Sequence, residues 1–310
     1  MAELARILVI KLGAFGDFAA AMGLFRAIRD YHPRARITLL TTPPFEEWAK
    51  MGGWFDEIWP LGRPKSLRGF VRLVREAREA RFDRVYDLQT NGRSSLLFHM
   101  LRPNTPEWSG VAWGASHPHA NPRRDFMHGF KARREQLLMA GIANVPDTDV
   151  RWAANLPARF DITKPYALLV PGGAAHRLGK RWPTERFAAL ASALSSRGFT
   201  PVVVGSASES DLAAAIAKEV PDTRALTGET TFADLAVLGR DASLAVGNDT
   251  GPMHLFATAG CPMLVLFGAD SSPELSAPYG AHVRTLQARP ISDLTVEQVL
   301  NALPEARAVP

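Results

Sequence analysis

The 310-residue chain has a single cysteine, Cys261. An internal disulfide is excluded, and with it the stapled framework of a small secreted domain. Between Gly260 and Pro262, Cys261 reads as a small buried hydrophobe. No run approaches the ~18 consecutive apolar residues of a membrane-spanning helix. The N-terminal residues 1–11 lack a basic segment followed by a long apolar stretch and a small-residue cleavage site; they read as a strand, so no signal peptide is expected. There is no low-complexity tract, no short internal repeat and no G-x-G-x-x-G dinucleotide turn. These absences lead to the expectation of a soluble, cytoplasmic globular protein.

Cations are in excess: Lys+Arg number 36 against 31 Asp+Glu, a net charge of +5. Nucleic acid, an anionic membrane surface and a phosphorylated substrate are all compatible with that sign. The series Arg68, Arg72, Arg75, Arg78, Arg81 follows helical spacing, with Glu76 and Glu79 interleaved. Nucleic-acid binding favours aromatics among the cations, and only Phe70 and Phe82 are close, so no nucleic acid is expected. A solvated helix face or contact with an anionic membrane or lipopolysaccharide remain the two readings.

The length fits two domains of roughly 150 residues each. Short apolar runs alternate with amphipathic stretches, and the pattern occurs twice. Residues 7–10, 37–40, 57–61 and 85–88 read as strands, with helices over 18–30 and 67–80. In the second half, 166–170, 201–204, 244–246 and 263–267 read as strands, with helices near 185–196, 211–219, 232–239 and 252–259. Such alternation implies parallel sheets joined by right-handed crossovers. The stretch 145–165 carries three prolines without periodicity and reads as a linker. Domains 1–155 and 156–310 are therefore expected, with a cleft at the carboxyl ends of both sheets, where such folds bind ligands.

Three turns carry polar groups suited to chemistry. Lys11-Leu12-Gly13-Ala14-Phe15-Gly16-Asp17 leaves the first strand and enters a helix; Asp17 is either a helix cap or a general base. Val246-Gly247-Asn248-Asp249-Thr250-Gly251-Pro252-Met253-His254 leaves a strand and opens a helix with proline in its first turn. Thr250, Gly251 and the free amides after them form a diphosphate cradle with His254 above it, or simply a well-capped helix with a buried histidine. Pro171-Gly172-Gly173, with Lys180-Arg181-Trp182-Pro183 downstream, is either a phosphate-neutralising site or a surface loop. Two further signals carry less. Asp147-Thr148-Asp149 spells a metal-binding D-x-D but lies in the linker with no strand before it. His117-Pro118-His119 has no third ligand at suitable spacing and reads as a surface turn.

The stretches KLGAFGD, DLQTNGRS, GKRWP and GNDTGPMH, spread from residue 11 to about 280, resemble the ADP-heptose:lipopolysaccharide heptosyltransferases, glycosyltransferase family 9. That resemblance implies an α/β, GT-B fold of two facing Rossmann-like domains, the first binding acceptor and the second donor. It implies an inverting transferase that moves a heptose-type sugar from ADP-heptose or a related nucleotide sugar to a lipopolysaccharide core or similar acidic glycan. Asp17 falls on the family's base. Lys180 falls on its phosphate-contacting lysine, and Gly172, Gly173, Asp249, Thr250, Gly251 and His254 on the donor site. Arg63, Lys65, Arg68 and Arg93 correspond to its basic acceptor region. No cofactor or metal is expected, because lysine, histidine and helix amides meet the donor charge. Peripheral contact with the cytoplasmic face of the inner membrane is a further expectation. Two stretches depart from the pattern. Ala269-Asp270-Ser271-Ser272-Pro273 replaces a Pro-Thr-Asp-Pro-like run, and Glu229 in Gly228-Glu229-Thr230 stands where lysine is usual. A sugar-nucleotide epimerase and a non-catalytic nucleotide-sugar or glycolipid binder are the rival readings.

Overall fold

A computed structural model describes residues 4–147, 151–173 and 177–308. The chain divides into two compact units, Met1–Asp149 and Val150–Pro310.

The first unit is built on strands β1 (Arg6–Ile10), β2 (Arg36–Leu40), β3 (Glu57–Trp59), β4 (Arg84–Asp87), β5 (Glu107–Gly110) and β6 (His117–Pro118). All pair parallel, in the order β3-β2-β1-β4-β5-β6. Its helices are α1 (Phe15–Ala19), α2 (Met22–Tyr31), α3 (Glu46–Gly52), α4 (Leu67–Ala80), α5 (Gly92–Met100) and α6 (Gly129–Met139). Buried Leu73, Val74 and Ala77 of α4 share one core with Leu97 and Phe98 of α5 and with Leu8, Ile10 and Val85 of the sheet. Burying each such aliphatic side chain contributes about 1.5–3 kcal/mol.

The second unit repeats the plan. Strands β7 (Tyr166–Val170), β8 (Thr200–Val203), β9 (Arg224–Ala225), β10 (Leu244–Asn248), β11 (Met263–Phe267) and β12 (Val283–Gln287) pair parallel in the order β12-β11-β10-β7-β8-β9. The helices are α7 (Thr184–Ser195), α8 (Ser210–Glu219), α9 (Phe232–Asp241), α10 (Gly251–Thr258), α11 (Pro273–Ser276) and α12 (Val296–Ala302). Strands β7, β10 and β11 are buried at every residue, as central strands of a sheet covered on both faces must be.

Both units have the Rossmann strand order, in which the chain reverses direction between the first and fourth strands. The expected α/β class of two doubly wound parallel sheets is borne out. The expected strand count was short by two in each unit: β5, β6, β9 and β12 were not anticipated. The helix expected over 18–30 is two helices. At the break the amide of Ala21 bonds the Phe18 carbonyl, three residues back. This local tightening interrupts the α ladder without any proline or glycine to mark it. His117-Pro118-His119 is not a surface turn but the edge strand and its end, with His119 buried.

Candidate active site

In the second unit, the crevice between β7 and β10 is organised by Asn248, the last and fully buried residue of β10. Its side-chain amide donates to the carbonyls of Pro171 (2.8 Å) and Gly172 (3.1 Å), and its Oδ1 accepts the Trp182 amide (3.0 Å). One side chain thus fastens the loops after β7, before α7 and after β10. Trp182 is buried and anchored in turn through Nε1 to the Leu294 carbonyl (2.9 Å).

The next residue, Asp249, holds Lys180. Nζ lies 2.6 Å from Oδ2, with the two side chains only 11% and 6% exposed. Asp249 Oδ1 is 3.9 Å from His254 Nε2. Burial pushes the Asp249 carboxyl upward, but hydrogen bonds from His254 and Lys180 outweigh it and hold the group below the ordinary carboxylate range. Thr250 is the N-cap residue of α10 and its side chain makes no cap bond. Thr250 Oγ1, His254 Nδ1 and Arg181 Nε are buried atoms without a hydrogen-bond partner among the described residues. A Cβ placed on Gly173 would lie 3.6 Å from both Arg181 Cγ and Thr250 Cγ2, so these side chains flank the same spot. An unsatisfied buried polar atom costs about 1–3 kcal/mol. A ligand rich in acceptor oxygens would satisfy the donors, and the amino end of α10 adds its dipole.

Lys180, Asp249, Thr250, Gly251, His254 and Gly173 are therefore brought together. Two details differ from expectation. The Gly173 amide donates to Glu209 Oε1 (2.7 Å), and a Cβ on Gly172 would run into the Glu209 carboxylate. The glycine pair thus serves the close approach of Glu209, and the Gly173 amide is not an open phosphate donor. Asp249 faces Lys180 and His254. Sequence reasoning missed Arg181, which also donates to the Gly173 carbonyl, and the tying role of Asn248. Both stand inside the GKRWP and GNDTGPMH motifs, but the partners of Asn248 lie 66 to 77 residues away in the chain.

In the first unit, Gly13 adopts φ +97°, and a Cβ there would run into the Phe45 ring; only glycine suits this turn. Asp17 is the third residue of α1, whose N-cap is Ala14, so Asp17 is not the cap. Its side chain is exposed, and its charge pulls the pKa values of Lys11 and Arg133 upward against the burial that lowers both. Lys11 is buried, which lowers its pKa to about 8 against the opposing pull of Asp17 and Asp87. The DLQTNGRS segment builds the loop across from it. Asp87 Oδ1 accepts the amides of Gln89 (3.1 Å) and Thr90 (2.8 Å), and Gln89 Oε1 accepts the Leu12 amide (2.9 Å). Asn91 caps α5 in a reciprocal box with Ser94. Arg63 and Lys65, in the β3–α4 loop, are exposed, as are Arg68 in the first turn of α4 and Arg93 in the first turn of α5. Among the described residues none of the four has a carboxylate within ion-pair distance.

Other candidates resolve simply. Cys261 is buried, which pushes its thiol up to about 12, as for a packed hydrophobe. His119 sits 3.6 Å from Glu135, and burial lowers its pKa further than that carboxylate raises it. Asp147 is 3.5 Å from Arg134; Thr148 and Asp149 lie outside the described residues. Among the described residues no group of three His, Cys, Asp or Glu side chains is placed to hold a metal. Glu229 offers its carbonyl to Arg159, and Asp270 packs against the backbone of Gly179.

Residues 70–298 match glycosyltransferase family 9 (heptosyltransferase). Lipopolysaccharide heptosyltransferase 3 of Escherichia coli is 34% identical over 280 residues, covering 82% of this chain and 81% of its own. A family 9 glycosyl transferase from Veillonella parvula superposes with a TM-score of 0.80 at 22% identity, covering 96% and 95% of the two chains. The E. coli heptosyltransferase WaaC, solved with ADP, gives 0.76 at 20% identity, covering 96% and 98%. With its two Rossmann-ordered sheets, this chain belongs to glycosyltransferase family 9, the heptosyltransferases.

Proposed function

We propose that this chain is an inverting, metal-independent transferase. It moves a heptose-type sugar from ADP-heptose, or a related nucleotide sugar, to the core of lipopolysaccharide or a similar acidic glycolipid. The observation that carries the reading is the group Lys180, Arg181, Thr250 and His254 at the amino end of α10. It gathers two fixed cations, an imidazole and unsatisfied donors in one crevice at a Rossmann switch point, the chemistry a diphosphate demands.

In the reaction the acceptor oxygen attacks the anomeric carbon as the bond to the diphosphate breaks. Asp17, exposed and with no side-chain hydrogen bond among the described residues, takes the proton of the attacking hydroxyl. Lys180, Arg181, His254 and the amides of α10 neutralise the charge that accumulates on the departing ADP. Asp249 holds Lys180 and His254 in place before the donor arrives. Gly172 and Gly173 shape the wall beside Arg181. Arg63, Lys65, Arg68 and Arg93 receive the acidic groups of the acceptor, which fits their exposure and their lack of carboxylate partners among the described residues. The donor's negative charge is met by protein cations, so no metal is required. The acceptor is a glycolipid, so the chain works in the cytoplasm against the inner membrane.

The test is calorimetry with nucleoside diphosphates and transfer from ADP-heptose to a purified core acceptor. ADP is expected to bind, and Lys180→Ala or Thr250→Ala to weaken binding by about 1–3 kcal/mol. Absence of nucleotide binding, or equal affinity in wild type and both variants, refutes the donor-site reading.

A further inference from the structure

Helices α4 and α5 lie together on one face of the first unit's sheet. They share a core, and Arg78 of α4 donates to the carbonyls of Met100 (2.6 Å) and Arg102 (3.2 Å) at the end of α5. Their buried sides are ordinary; their outer sides are not. On α4, Leu67 and Val71 are one turn apart and 79% and 58% exposed. On α5, Leu96 and Met100 are likewise one turn apart and exposed. Trp113, 81% exposed, stands on the β5–β6 connection, whose Ala112 and Ala115 pack in the core beneath these helices. Single exposed apolar residues are unremarkable, but five on one face of one unit form a pattern.

Cations outnumber carboxylates on this face. Arg63, Lys65, Arg68, Arg72, Arg75 and Arg93 are all exposed. The carboxylates among them are Glu76, paired with Arg72 at 2.7 Å, and Glu79, at 3.8 Å from Arg75. The remaining cations have no carboxylate partner among the described residues. Apolar side chains and an exposed tryptophan set among arginines match the boundary of an anionic bilayer, where rings and aliphatic chains enter the acyl margin and guanidinium groups stay with phosphate. Each Lys or Arg near such a surface strengthens binding by roughly five-fold at low salt.

We infer that the outer face of α4, α5 and the β5–β6 connection is a docking surface for an anionic phospholipid bilayer, with Leu67, Val71, Leu96, Met100 and Trp113 entering the headgroup margin. Arg72 and Arg75 sit in the phosphate layer. This deepens the reading of the acceptor as a glycolipid and rests on it. It also places the cations proposed for the acceptor, Arg63, Lys65, Arg68 and Arg93, on the same side as the bilayer.

The experiment is co-sedimentation with acceptor-free vesicles of phosphatidylcholine alone or with phosphatidylglycerol, at low and high salt. The chain is expected to pellet with the anionic vesicles, not the neutral ones, and less as salt rises. Arg72→Gln/Arg75→Gln should lower partitioning by roughly 25-fold, and Val71→Ser/Trp113→Ser should lower it at both salt concentrations. ADP-induced thermal stabilisation, read on the same variants, should equal that of wild type; it reports both folding and the donor site. Loss of vesicle binding with ADP binding intact therefore speaks to the surface alone. Equal pelleting with neutral vesicles, no pelleting, or no change in either variant overturns the inference. So does a dimer dispersed by Val71→Ser/Trp113→Ser, which would make the face an interface between copies. Salt-sensitive retention on RNA abolished by the arginine variant, without vesicle binding, also overturns it.

Discussion

Replacing Asp249 by asparagine keeps the shape of the side chain and removes one charge from a buried pair. In the wild type, Lys180 and Asp249 meet at 2.6 Å with side chains 11% and 6% exposed. Asn leaves the Lys180 ammonium with no anionic partner in a site too dry to solvate it. Deleting one member of such a pair costs about 3–5 kcal/mol. His254, at 3.9 Å from the same carboxylate, loses that neighbour as well. For a unit of this size about 1 kcal/mol corresponds to roughly 2–4 °C in Tm, so the transition of the second unit should fall by about 6–20 °C. Lys180→Ala strands the carboxylate instead, but His254 still faces it, so its loss should be the smaller. The double variant Lys180→Ala/Asp249→Asn should lose less than the two singles added together, with a coupling of about 1–3 kcal/mol. The pH dependence follows from the lowered folded pKa of Asp249. The unfolded carboxyl, near 3.8, binds protons more readily, so the contribution is fully present above that pH and is lost as pH falls through the lower folded value. ADP should recover part of the stability of Asp249→Asn, because a diphosphate supplies the missing charge. The assay is differential scanning calorimetry of the four proteins, with and without ADP, between pH 3 and pH 7. Additive losses in the double variant, or Asp249→Asn melting with wild type, would show that the pair does not organise this site.

Asp17→Asn should leave ADP binding unchanged and lower transfer by about 10²–10⁴-fold; near-normal turnover with an authentic acceptor means another group is the base. Transfer should persist in excess chelator, and a loss with EDTA that magnesium or manganese restores would require a metal after all. Asn248→Asp keeps the acceptor for the Trp182 amide but turns a carboxylate toward the carbonyls of Pro171 and Gly172, in place of donors. Thermal unfolding should show a loss of about 2–4 kcal/mol, and a neutral result would remove Asn248 from the account of loop positioning. Lys11→Met should stabilise the chain. With the folded pKa near 8 against 10.5, the unfolded chain binds the proton more tightly, so the charged form costs up to about 3 kcal/mol below pH 8. The advantage of the variant in urea titrations should shrink as pH rises from 8 to 10.5.

What the sequence determined by itself was the central scaffold and the location of the motifs. The strands expected at 166–170 and 263–267 and the helix at 67–80 coincide with β7, β11 and α4. A run apolar at every residue, bounded by Gly or Pro, has one stable place, the middle of a parallel sheet. An apolar stripe at a 3.6-residue period has one stable face. Tertiary structure alone decided the edges. β5 is Glu-Trp-Ser-Gly, β6 is His-Pro and β9 is Arg-Ala; none carries a run that identifies a strand, and each is extended because a neighbouring strand offers its free hydrogen-bonding edge. The site divides in the same way. Lys180, Thr250 and His254 were legible because glycine and proline punctuation marks the turns that hold them. The pairing of Lys180 with Asp249, the capture of the Gly173 amide by Glu209 and the bonds of Asn248 to Pro171, Gly172 and Trp182 span 36 to 77 residues. Contacts at that separation leave no periodicity in the chain; they exist because the strand order sets β7 beside β10 and so brings their following loops within hydrogen-bonding distance.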